Sequence, residues 1–139
     1  MKTLNYILSV AFLMTMVSCE LIVIGEKKQK KEYIKVSQDN SLGAVVLFKM
    51  ELDSSNIPAA AGMYAHPNGK RYLALEQYEN YPEFARLGRV LNYNRITSIK
   101  TDTLNSESMH FRVEFDYLRW FSFVTRKIDE NWYIVSYDG

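Results

Sequence analysis

Phe111-Arg112-Val113-Glu114-Phe115-Asp116-Tyr117 decides the fold, because apolar and polar residues alternate along it without a break. A period of two is the mark of a strand with one buried face. Phe121 and Phe123 alternate with Ser122 and Val124, and Trp132, Ile134 and Ser136 alternate with Tyr133, Val135 and Tyr137, so the same reading extends to the end of the chain. Ile96 to Leu104 supplies a further strand, turned by Asn105-Ser106. Asp129-Glu130-Asn131 suits a hairpin turn. Asp116-Tyr117-Leu118-Arg119 holds neither Gly nor Asn, and an Asp116–Arg119 pair is the expected pin of that turn.

Upstream of Asn94 the period is helical. Asp39, Asn40 and Ser41 are all good N-caps, and Leu42, Val45, Phe48 and Leu52 follow at helical spacing. Asp53-Ser54-Ser55-Asn56 ends that helix, and Pro58 fits the first turn of a second. His66-Pro67-Asn68-Gly69 is a turn. A third helical stretch is expected from about Arg71 to Leu91 with a break near Pro82, where Asn80 and Glu83 have capping-box spacing. Its expected buried residues are Leu73, Leu75, Tyr78, Phe84, Leu87, Val90 and Leu91. Helices first and strands after predict an α+β domain, N-terminal helices packed on one face of a curved antiparallel sheet, over residues 39–139.

The first nineteen residues have a different character. Lys2 is their only charge, an apolar run Tyr6–Met14 follows, and Met16-Val17-Ser18-Cys19 closes the segment. A basic start, a short apolar middle and a small residue before a cleavage point are the parts of a signal peptide. Met16-Val17-Ser18-Cys19 resembles the bacterial lipobox, although Met is less usual than Leu in its first place. The resemblance implies a signal peptide over 1–18, a diacylglycerol and usually a further acyl chain on Cys19, and attachment to a bilayer. Two or three acyl chains hold where one does not. The alternative is an uncleaved anchor, since Thr3 to Ile24 is long enough to cross a bilayer; Glu20 argues against it.

Residues 19–38 then read as the lipidated N-terminus and a basic tether, with five lysines and two glutamates between Glu26 and Lys35. From Asn40 onward eleven basic and twelve acidic residues leave the domain near neutral, with no basic face for nucleic acid. Cys19 is the only cysteine, which rules out an internal disulfide and a thiolate zinc site.

An opening helix with Phe48 and Leu52, a second after Asp53, a turn at Asn68-Gly69 and a closing Asp129-Glu130-Asn131-Trp132-Tyr133-Ile134-Val135 together resemble the NTF2-like, cone-shaped α+β fold. Within it they are similar to small lipoprotein domains related to lumazine-binding-like modules. The resemblance implies a pocket between helices and sheet. Some members are isomerases or dehydratases, and others only bind ligands or partners. No catalytic motif of the enzymes is matched here, so fold alone does not give activity.

The chemistry in the chain is sparse. His66 sits in a turn and His110 among alternating core residues; both suit surface or edge positions better than catalysis. Arg112, Glu114 and Asp116 share a face that reads as solvated. Arg86 and Arg89 could grip an anion, but more simply form one wet helix face. There is no nucleophile elbow, no phosphate loop and no metal spacing, and no cofactor is implied. Among the aromatic residues, Tyr64, Tyr78, Tyr81 and Trp132 are the candidates to line a ligand pocket. The expectation is a non-enzymatic, lipid-anchored module on the periplasmic or outer side of a bacterial envelope, binding a small ligand, a protein partner or a second copy through the sheet face. The alternatives are an isomerase- or hydrolase-type pocket enzyme and a cystatin-like or pilotin-like inhibitory or assembly module.

Overall fold

Helix α1 (Ser41–Asp53) begins where the sequence places it, because the Asn40 side chain accepts the Gly43 N–H at 2.6 Å. Asn40 also donates to the Lys35 carbonyl at 3.0 Å, folding the incoming chain over the first turn. That approach is so close that a Cβ at Gly43 would stand 2.2 Å from the Lys35 oxygen, so only glycine fits. Three more helices follow, α2 (Ile57–Gly62), α3 (Ala74–Glu79) and α4 (Tyr81–Leu91). The computed structural model describes residues 34–139, which lie in the second of two units, Met1–Glu32 and Tyr33–Gly139. Cys19, the expected leader and most of the expected tether lie outside the described residues.

Four strands complete the domain as an antiparallel meander in the order β1-β2-β3-β4: β1 (Ile96–Asn105), β2 (Ser108–Phe115), β3 (Arg119–Ile128) and β4 (Asn131–Asp138). The fold is α+β with an open four-stranded sheet. Alternation delivers Phe111, Val113 and Phe115 from β2 and Phe121, Phe123 and Thr125 from β3 to the helix-covered face. Strand β4 keeps to that face only through a bulge: Val124 pairs with Ser136 and Thr125 with Ile134, which leaves Val135 over. Trp132 and Ile134 before the bulge and Tyr137 after it therefore all pack against the main core.

Phe48 lies at the centre of that core, fully buried and edge-on to Phe84 and Phe123 at 5.6 and 6.4 Å. Phe48, Phe84, Phe111, Phe115 and Phe123 fill the space between helices and sheet. On the opposite face Tyr133 and Val135 pack with Ala65 in a small second cluster. Ala65 reaches it because Met63–Ala65 runs parallel to β4, exchanging the Ala65 N–H to Ile134 and Ile134 N–H to Met63 bonds, each 2.9 Å. Gln38 covers the start of the same edge, its carbonyl accepting the Trp132 N–H and its amide donating to the Trp132 carbonyl.

Several expectations are corrected here. Leu73, Leu75 and Tyr78 are not buried; they are 72%, 70% and 67% exposed, and α3 buries no residue at all. The helical stretch breaks at Asn80, so only α4 turns its apolar stripe (Phe84, Leu87 and Leu91) to the core. Asn80 and Glu83 form no capping box, since the Asn80 amide donates backward to the Glu76 carbonyl. Asp116 and Tyr117 form a tight turn in left-handed conformation, φ 51° and 59°, and Asp116 is held not by Arg119 but by the Arg95 backbone. Its carboxylate accepts the Arg95 N–H at 2.9 Å and its own N–H donates to the Arg95 carbonyl at 3.0 Å. Asp tolerates this conformation better than most residues, and the two bonds offset the strain left at Tyr117.

Candidate functional site

Glu83 stands in the first turn of α4, and the turn of the helix brings Arg86 beside it. Arg86 Nε donates to Glu83 Oε2 at 3.0 Å and a terminal guanidinium nitrogen to Oε1 at 2.7 Å, a two-point grip. From β4 the Tyr137 hydroxyl donates to the same Oε1 at 2.9 Å. The bulge at Val135 makes this bond, because without it Tyr137 would face the other side of the sheet.

These donors hold the Glu83 carboxyl below the ordinary carboxylate range, the Arg86 hydrogen bond contributing most and Tyr137 next. The Tyr137 phenol is pushed well above its usual value by partial burial first and the Glu83 bond second. Glu83 is thus firmly ionised and Tyr137 firmly protonated.

Beside this triad lies an open cleft of about 270 Å³ lined by Glu83, Arg86, Leu87, Val90, Phe121, Tyr137, Asp138 and Gly139. Its lining combines three apolar side chains (Leu87, Val90 and Phe121) with two acids, one arginine and the Tyr137 phenol, and its exposed wall is mixed, somewhat more polar than apolar. A smaller cleft of about 170 Å³ lies between the end of α1 and α4, with Arg89 and Asn92 as its polar rim.

Of the residues expected in a pocket, Tyr64 packs against the triad's Tyr137. Its ring stacks on Tyr72 at 5.7 Å and meets Phe84 and Tyr137 edge-on at 5.2 and 6.0 Å. Burial raises the Tyr64 pKa, with smaller contributions from Tyr72 and Glu83. Tyr78 and Tyr81 pair with each other, rings 5.2 Å apart. Trp132 is half-buried at the other end of β4, held at its backbone by Gln38. None of these four lines either cleft.

Both histidines have acidic neighbours. His66 lies 3.4 Å from Glu76 and against the Tyr72 ring, and His110 lies 3.5 Å from Asp102 across the β1–β2 ladder. Arg112 on the outer sheet face shares the Trp120 ring with Lys100, at 5.5 and 5.0 Å. Glu114 is tied to the Thr97 hydroxyl at 3.1 Å.

Sequence reasoning missed the triad. The Glu83–Arg86 spacing is a visible signal for a helix-surface pair, but in the sequence it reads equally as part of a cap and as a solvated face. Nothing local links either to Tyr137, which lies 54 residues from Glu83.

No protein-family model matches the chain, and no similar protein is found among curated sequences.

Proposed function

We propose that this chain is a lipid-anchored envelope protein whose NTF2-like domain binds a small ligand, or one side chain of a partner, in the cleft at Glu83, and does so without transforming it. The Glu83–Arg86–Tyr137 triad in the wall of a cleft of mixed lining carries this reading. Its groups are fixed in position and in charge. A carboxylate with a depressed pKa and a phenol with a raised one exchange no proton near neutral pH, which suits recognition and is poor for acid–base catalysis. The cleft's size, about 270 Å³, falls just short of the ~300–1,000 Å³ of drug-sized sites, so one ring or one side chain fits. Glu83 and Arg86 neutralise each other, so the excess charge among the lining side chains is Asp138's, which favours a ligand with a cationic or hydrogen-bond-donating head.

Helices followed by a four-strand meander with one covered face support the NTF2-like assignment. Met16-Val17-Ser18-Cys19 supports acylation at Cys19, with the domain on the periplasmic or surface side, of the outer membrane by preference. Native mass spectrometry of the Tyr33–Gly139 unit tests the binding site: a co-purified small mass that is lost on Arg86→Glu substitution is expected. The anchor is tested by Cys19→Ala, which should release the chain from membranes or leave its leader uncleaved without acyl label. Full acyl labelling of that variant would refute the assignment.

A further inference from the structure

The two edges of the sheet are treated differently. Met63–Ala65 and Gln38 bond along the β4 edge, whereas β1, at the other end of the order, presents ten residues with no strand beyond it among the described residues. Bare edges are templates for pairing, and folded proteins usually blunt them. Bulges interrupt β1 between Ile96 and Ser98 and again between Thr103 and Asn105, leaving a regular stretch from Ser98 to Thr103. Lys100, Thr101, Asp102 and Thr103 within it are all exposed.

The charges on this edge are complementary to themselves. Register places Ile99 and Thr101 opposite Val113 and Phe111 on the covered face, and Lys100 and Asp102 opposite Arg112 and His110 on the outer one. We propose that β1 is an interface with a second copy of this chain, paired antiparallel about a two-fold axis at Thr101. That register sets Lys100 of each copy against Asp102 of the other, twice over, as an isologous contact requires. It also answers a local imbalance. Lys100 faces the like-charged Arg112 on its inner side, with only the Trp120 ring shared between them, so a carboxylate on its open side neutralises a repulsion already present. The terminal bulges bend the chain out of line and confine pairing to the straight stretch, which fixes the register.

The test uses the full chain in membranes. Thr101→Cys places two thiols across the axis at about 4.5–5.5 Å between Cα atoms, within reach of a disulfide. Thr103→Cys places its pair roughly 14 Å apart at about 3.4 Å per residue, out of reach. Mild oxidation is expected to give a disulfide dimer for the first and no more than the background of the unsubstituted chain for the second. Lys100→Asp added to Thr101→Cys should lower the yield roughly tenfold, and adding Asp102→Lys as well should restore it. Restoration separates lost pairing from lost folding. No dimer above background, equal yields from positions 101 and 103, or a yield indifferent to charge reversal would each overturn the proposal.

Discussion

The Tyr137 hydroxyl donates to Glu83 Oε1 at 2.9 Å, tying the last strand to the first turn of the last helix. The bond joins α4 to β4 in the wall of the cleft. Tyr137→Phe keeps the ring against Phe84 and Tyr64 and removes only the donor. It should cost about 1 kcal/mol of unfolding free energy, as a partly exposed hydrogen bond does, and it should weaken ligand retention further. Urea unfolding checks the first. A variant as stable as the parent would mean that the hydroxyl is no tie.

The same pair makes stability depend on pH at both ends. The folded Glu83 pKa is depressed, so its contribution is complete above the unfolded carboxyl value of about 4.3 and is lost as pH falls through the lower folded value. The folded Tyr137 pKa is raised, so its contribution is complete below about pH 10 and is lost as pH rises beyond that. Urea midpoints followed against pH should fall more steeply above pH ~10 in the parent than in Tyr137→Phe. Glu83→Gln should blunt the fall below pH ~4.

Phe48 is fully buried between Phe84 and Phe123, with no side open to collapse. Phe48→Ala should cost about 3–5 kcal/mol. Phe48→Leu should cost much less, since it keeps most of the volume. Equal losses for the two in chemical denaturation would mean that packing at this position is loose.

Lys49 is a buried cation on α1, paired with Asp53 one turn on and lying 5.9 Å over the Phe115 ring. Removing the acid leaves the cation without its partner, so Asp53→Ala should cost about 1–3 kcal/mol, less than a fully enclosed pair because Asp53 is one-third exposed. Lys49→Met keeps the stem and drops the charge, and should be neutral or stabilising. A larger loss in Lys49→Met than in Asp53→Ala would reverse this account.

The sequence made plain what local physics controls. Asn40 caps α1, Pro58 opens α2, and the alternation of β2 and β3 predicts which phenylalanines are buried. It failed where a local pattern has two global uses. Leu73, Leu75 and Tyr78 have helical spacing, but spacing says only that a helix has an apolar face, not that the helix reaches the core. The turn at Asp116-Tyr117 carries no glycine because its left-handed conformation is held by Arg95, a residue far back in the chain. The site was hidden for a similar reason. Tyr137 reaches Glu83 only because a bulge at Val135 shifts the face of β4, and a bulge leaves no mark in a period-two pattern.

Native mass spectrometry of the gently purified Tyr33–Gly139 unit, parent beside Arg86→Glu, tests the central claim most directly. A small mass carried by the parent and absent from the variant, with both folded, is the predicted result. A parent that carries no added mass, or a mass retained equally by Arg86→Glu, would contradict a binding cleft at Glu83.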